Sequence, residues 1–134
     1  MAQVLRIASE MNHRYGMYRE WSYLHDVLAD DTHHPTAYQD AGLSSFWGTT
    51  DIVERVQWFF GFTSINQLFS WVNCGDAWEC ISELDQLVYV YDVGDHDLLR
   101  GNSQCLFKLF DYTPIKTYKP DVFRGLFEPL GKAA

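Results

Sequence analysis

Between residues 56 and 99 the sequence has no lysine and no arginine. Phosphate backbones are held by clustered cations that displace counterions, so this stretch excludes a nucleic-acid surface of the usual kind. Cysteine is scarce: Cys74, Cys80 and Cys105 are the 3 in 134 residues, at spacings that fit neither a disulfide framework nor paired zinc ligands. That usage points to a reducing compartment. No apolar run approaches the roughly 20 residues that cross a bilayer, and MAQVLRIASE lacks the apolar core of a signal peptide. A cytoplasmic protein without a membrane partner is expected. GxSxG, P-loop, Rossmann-glycine and HExxH patterns are all missing, which takes weight from the common reaction classes they mark.

What is present is acid and aromatic. The net charge is −8, and it is unevenly spread: residues 1–55 hold eight acids and four bases, residues 56–99 hold seven acids, and residues 100–134 hold three acids and six bases. A field of this kind suits a basic protein partner, or a surface that imitates nucleic acid to one; its plainer reading is a solvated face that keeps a small protein soluble. Apolar residues make up 47% of the chain and aromatics 16%, enough burial to oppose chain entropy without metal or disulfide staples. One α+β domain over residues 1–134 is expected, with a mixed or antiparallel sheet and three to four helices.

Along the chain, residues 3–8 predict a first strand with Arg6 in its middle. Met17, Trp21, Leu24 and Leu28 recur at helical spacing, and residues 30–48 predict a long loop. Asp51 to Phe60 predicts an amphipathic helix stopped by Gly61. Ser64 and Gln67 predict a capping box opening a second helix, and Asp76 with Glu79 a third. The alternating run Gln86 to Val93 predicts a strand paired with a second one over residues 103–110. The proline-bearing tail predicts short extended pieces, with one or two helical turns at Asp121 to Phe127.

Several groups have chemistry to offer. His25, Asp26, Asp30, Asp31, His33 and His34 are a dense set of potential ligands, yet without fixed helical offsets they read better as a helix end and turn, and no metal site is expected. No histidine adjoins a cysteine, so a thiol nucleophile has no base. Tyr15, Tyr18, Tyr23, Tyr38 and Trp47, in or beside the loop-rich region, are better placed for a pocket than Phe59, Phe60 or Phe69.

Arg6 on a first strand, the GMYR segment containing Tyr18, the HPxxYxD segment containing His34, Tyr38 and Asp40, FTSINQLFSWV, VYVYDV and GNSQCLFKLF together resemble small phage and bacterial ADP-ribosyltransferase-like proteins. The resemblance implies that fold, NAD as cofactor, and transfer of ADP-ribose to a host or rival protein. It implies that Arg6 holds NAD, that Ser64 supports the nicotinamide ribose, and that Phe62, Tyr18, His34 and Tyr38 complete the cofactor site. Gln104 then stands where the family has a catalytic Glu. A carboxylate would stabilise the oxocarbenium character that builds on the ribose, whereas an amide accepts a hydrogen bond but adds no charge. The alternative is a non-catalytic acidic protein that inhibits a host defence complex, of the anti-CRISPR or anti-restriction type, with the acids from Asp76 to Asp97 against a basic surface.

Overall fold

A strand that is apolar on both faces needs a layer on each side, and the first strand is buried at every position from Val4 to Ser9. The computed structural model describes residues 1–9, 42–43, 46, 49–55, 57–72, 75–83 and 85–131. Through these the chain runs β1 (Ala2–Ser9), α1 (Ile52–Arg55), β2 (Phe59–Gly61), α2 (Ile65–Trp71), α3 (Gly75–Glu83), β3 (Gln86–Val93), β4 (Leu98–Arg100), β5 (Cys105–Phe107), β6 (Lys116–Tyr118) and α4 (Pro120–Gly131). Short 3-10 turns lie at Asp95–Asp97 and Leu109–Asp111. The expected helix over residues 17–29 and nearly all of the expected loop over residues 30–48 lie outside the described residues.

The strands form two antiparallel three-stranded sheets, ordered β1-β3-β6 and β2-β5-β4. Leu5 and Phe62 join them: the Leu5 amide donates to the Phe62 carbonyl at 2.8 Å and the Phe62 amide to the Leu5 carbonyl at 2.7 Å. On one face of the first sheet, Leu5, Ile7, Val88 and Val90 pack against Leu68, Phe69 and Trp71 of α2, Ala77, Trp78 and Ile81 of α3, and Phe123 of α4. On the other face, Val4, Ala8, Tyr89, Tyr91 and Val93 meet Cys105 and Phe107 of the second sheet. Leu43, Trp58 and Leu106 form a third, smaller cluster beyond it. The class is α+β, with three helices, the single turn α1 and two small antiparallel sheets among the described residues.

Local chemistry explains the elements. The Ser64 side chain accepts the Gln67 amide at 3.1 Å, capping α2 as expected. The Gln67 side chain reaches back one residue further than a standard capping box, accepting the Thr63 amide at 2.9 Å and the Thr63 hydroxyl at 3.2 Å. Asp51 caps α1, its carboxylate accepting the Glu54 amide at 3.0 Å. In α3 the residues Ala77, Trp78 and Ile81 line one buried stripe, and the Trp78 indole donates to the Val72 carbonyl at 3.1 Å.

Three expectations are corrected. The helix expected over residues 51–60 ends at Arg55, and Phe59 and Phe60 lie in β2. Two adjacent phenylalanines fit a helical stripe as well as a short strand, and in β2 Phe59 faces the intersheet layer while Phe60, 41% exposed, is the ladder partner of Leu106. The strands read over residues 86–93 and 103–110 are not partners. β3 pairs with β1 and β6, whereas the second run shortens to Cys105–Phe107 and pairs with β2 and β4 in the other sheet. The tail holds the extended strand β6 as expected, but the one or two helical turns expected at Asp121 to Phe127 extend to a 12-residue helix, which Pro120 opens at the first helical position, where its missing N–H costs nothing.

Gly61 does not stop a helix; it lets β2 approach β1. A Cβ there would lie 2.7 Å from Val4 Cγ1, 3.0 Å from the Leu5 carbonyl oxygen and 3.1 Å from Phe107 Cε1. Gly61→Ala is expected to cost about 1–3 kcal/mol in urea unfolding, the usual range for overpacking. A variant as stable as the parent would contradict this packing.

Candidate functional site

Side chains alternate across a strand, so Arg6 joins Val4 and Ala8 on the face of β1 that meets the second sheet. It is 5% exposed. Its Nη1 donates to the Phe60 carbonyl at 2.6 Å, and its guanidinium carbon lies 5.4 Å from the centre of the Phe59 ring. Burial lowers its pKa to about 10, an effect that nearby Tyr91 and Cys105 oppose. The guanidinium is therefore charged at neutral pH and held between two sheets.

Its neighbours respond in the opposite sense. Burial pushes the Cys105 thiol up to about 12 against the pull of Arg100, the Gly61 backbone and Arg6. Burial also pushes Tyr91 up to about 12, with Arg6 opposing. The Tyr91 hydroxyl is fully buried and has no hydrogen-bond partner among the described residues. Tyr91 and Cys105 therefore stay neutral at neutral pH beside the charged Arg6.

Ser64 lies on the other side. It edges a groove of about 440 Å³ at the end of the first sheet that the helices leave open. The floor is Leu5, Val90 and Ile65; Tyr118, Phe123 and Phe127 form an aromatic wall; Gln3, Thr63, Ser64 and Lys116 supply polar groups. Leu5 faces this groove, so Arg6, one residue on, points away from it. Phe62 is not at the surface: it is 4% exposed and packs edge-on against Trp71, with ring centres 5.6 Å apart.

Gln104 occupies a third place. It is 2% exposed at the end of the β4–β5 connection, where its carbonyl accepts the Gly101 amide at 2.8 Å. It precedes β5 in the parity of Leu106, whereas Cys105 and Phe107 face the layer that holds Arg6. The connection is docked on α2: the Trp71 indole donates to the Ser103 carbonyl at 3.1 Å and the Gln67 side-chain Nε2 to the Asn102 carbonyl at 3.4 Å. Arg6 and Ser64 thus lie on opposite faces of one sheet, and Gln104 belongs to the hairpin loop. Tyr18, His34 and Tyr38 lie outside the described residues, as do Cys74 and the cluster from His25 to His34.

The acids from Glu79 to Asp97 have a geometry of their own. Glu79, Glu83, Asp85 and Asp95 are exposed. Glu79, Glu83 and Asp85 lie before β3, and Asp95 and Asp97 follow it, so the block contiguous in sequence is split by an eight-residue strand, a length of roughly 26 Å. The second end is fixed by Tyr112, whose hydroxyl donates to Asp97 Oδ2 at 2.5 Å and accepts the Gly94 amide at 3.0 Å. That hydrogen bond to Asp97 raises the Tyr112 pKa.

Lys116, Tyr118 and Phe127 went unnoticed as site residues. The alternation of Lys116 and Tyr118 and the four-residue spacing of Phe123 and Phe127 were the available signals. Among the described residues no group of three or more His, Cys, Asp or Glu is placed to hold a metal ion, and no helix is long and apolar enough to cross a membrane.

Fold and site together define a small α+β protein with a helix-covered sheet, an open groove and divided acidic ends. The chain belongs to the Bacteriophage T4 Y00F protein family, a phage family whose model matches residues 1–121. No curated protein and no solved structure matches it.

Cys105 and Tyr91 bind their protons more tightly in the fold than their ordinary values of 9.0 and 10.0. Their contribution to stability is complete below those values and is lost as pH rises toward about 12. The urea midpoint should therefore fall from about pH 9 upward, and the buried thiols of Cys80 and Cys105 should resist a thiol reagent until the protein unfolds. A flat profile, or prompt labelling of Cys105 in the native protein, would contradict the burial described.

Proposed function

We propose that this phage protein works by binding, presenting unneutralised acids to a basic surface on another protein. The observation that carries the reading is the state of those acids. Glu79, Glu83, Asp85 and Asp95 are exposed, and none of their carboxylates makes an ion pair or hydrogen bond among the described residues. Two bases of the C-terminal part are engaged elsewhere: Lys108 approaches Glu54 at 3.9 Å and Arg124 pairs with Glu128 at 2.5 Å, and neither reaches these four acids.

Position adds to this. Glu83 ends α3, which has no basic residue in its last turn. A carboxylate there faces the negative end of the helix dipole, at a cost of about 0.3–1 kcal/mol. An acid retained where it costs stability and pairs with nothing nearby is explained by a partner that supplies the positive charge. The separation of the two acidic ends exceeds a Debye length of about 8 Å at physiological salt, so each end would meet its own basic contact.

Charge reversal tests this. Glu79→Lys with Glu83→Lys, both on exposed helix positions, should leave the melting temperature unchanged or slightly raised while abolishing capture of a partner from host lysate. Capture by the parent protein should weaken as salt rises from about 0.05 to about 0.5 M. Capture that ignores both charge reversal and salt would refute the reading.

A second reading keeps NAD as the ligand, with Arg6, Ser64, Gln104, Phe62, Tyr18, His34 and Tyr38 in the roles the resemblance implies and transfer of ADP-ribose to a protein as the reaction. The observation in its favour is that Ser64 edges the groove. It expects NAD to raise the melting temperature and a labelled NAD to mark a protein in host lysate. Neither effect at millimolar NAD would end it.

A further inference from the structure

We infer that the groove at the open end of the first sheet is a site for a small monoanion built on an aromatic ring, such as an aryl carboxylate. The inference does not depend on the acidic ends. The groove's volume, about 440 Å³, falls within the range of roughly 300–1,000 Å³ usual for small-molecule sites.

The aromatic requirement comes from the wall. Tyr118 and Phe127 stand edge to face with ring centres 5.7 Å apart and planes at 84°, and Phe123 lies behind both, at 5.6 Å from Tyr118 and 4.8 Å from Phe127. Phe123 is 1% exposed and belongs to the core, so it fixes the two rings that remain half-buried in the groove. A ligand ring laid against them extends an edge-to-face stack already in place.

The anion requirement comes from the rim. Lys116 carries the groove's one cationic side chain among its described lining residues, and it makes no ion pair or side-chain hydrogen bond within the described protein. The Ser64 oxygen accepts the Gln67 amide, which leaves its O–H to donate outward. The Gln3 amide adds donors from β1. An ammonium, a hydroxyl and an amide above an apolar floor select one negative charge on an apolar body. The opposing field sets the limit. Asp92 is the register partner of Gln3, two residues from Val90 on the same face of β3, and the whole chain carries −8. A second negative charge would be repelled, so a dianion such as a phosphomonoester is excluded.

The test is a titration of the intact chain with biphenyl-4-carboxylate, read by backbone amide NMR shifts, beside the neutral biphenyl-4-carboxamide and phenyl phosphate. The carboxylate should move the amides of Ser64, Ile65, Val90 and Tyr118 saturably and bind at least 5-fold more tightly than either other compound. Lys116→Met, at an exposed position, should remove that preference while keeping weak binding of the carboxamide. Shifts absent from these amides, or a preference that survives Lys116→Met, would overturn the inference. Tighter binding of phenyl phosphate would overturn the single-charge limit.

Discussion

Two hydrogen bonds between Leu5 and Phe62 hold the two sheets in register, and most of the remaining structure depends on them. Each contributes only about 0.5–1.5 kcal/mol net, but their position multiplies the effect. They place β2 against β1 at Gly61, set the Phe60 carbonyl where Arg6 reaches it, and bring Ser64 to the head of α2 two residues later. The hairpin loop then follows, because Gln67 and Trp71 of α2 bond to Asn102 and Ser103. Loss of this joint would separate the helix-covered core from the intersheet layer.

The charges are arranged around that joint in two ways. Arg6 is the buried cation of the intersheet layer, and its position is an expense, since desolvation works against the guanidinium. A 2.6 Å bond to the Phe60 carbonyl and the face of the Phe59 ring offset part of that cost. The acids face outward instead, with Glu83 at a helix end that disfavours it. An interior charge that ties two sheets together needs no ligand to explain it. The exterior charges at an unfavourable helix end are the ground for the contact with another molecule that we propose.

Much of the architecture was legible in the residues. β1, the Ser64 cap, α3 and β3 follow from local patterns whose period or hydrogen-bonding chemistry has few alternatives. Phe59 and Phe60 were misread because a strand of three residues is too short to show an alternation that separates it from a helical stripe. The separation of β3 from β5 was not legible, since pairing between strands distant in sequence, Ser9 with Gln86 and Gly61 with Cys105, depends on the whole fold. The site was less legible still. Arg6 and Ser64 were correct as a strand residue and a cap, whereas Gln104, read as lying on the second strand, falls just before it, and the faces of all three depend on pairing. The groove needed Lys116, Tyr118 and Phe127 from a tail whose prolines obscured its helix.

The most direct measurement of the central constraint is native-state amide hydrogen exchange at Leu5 and Phe62. If the two sheets depend on this joint, both amides exchange only through global unfolding, with a free energy and urea dependence equal to those of the whole domain. Exchange of either amide through a local opening of low free energy and negligible urea dependence, while Val88 and Val90 remain fully protected, would show that the first sheet stands without the joint and would contradict the account.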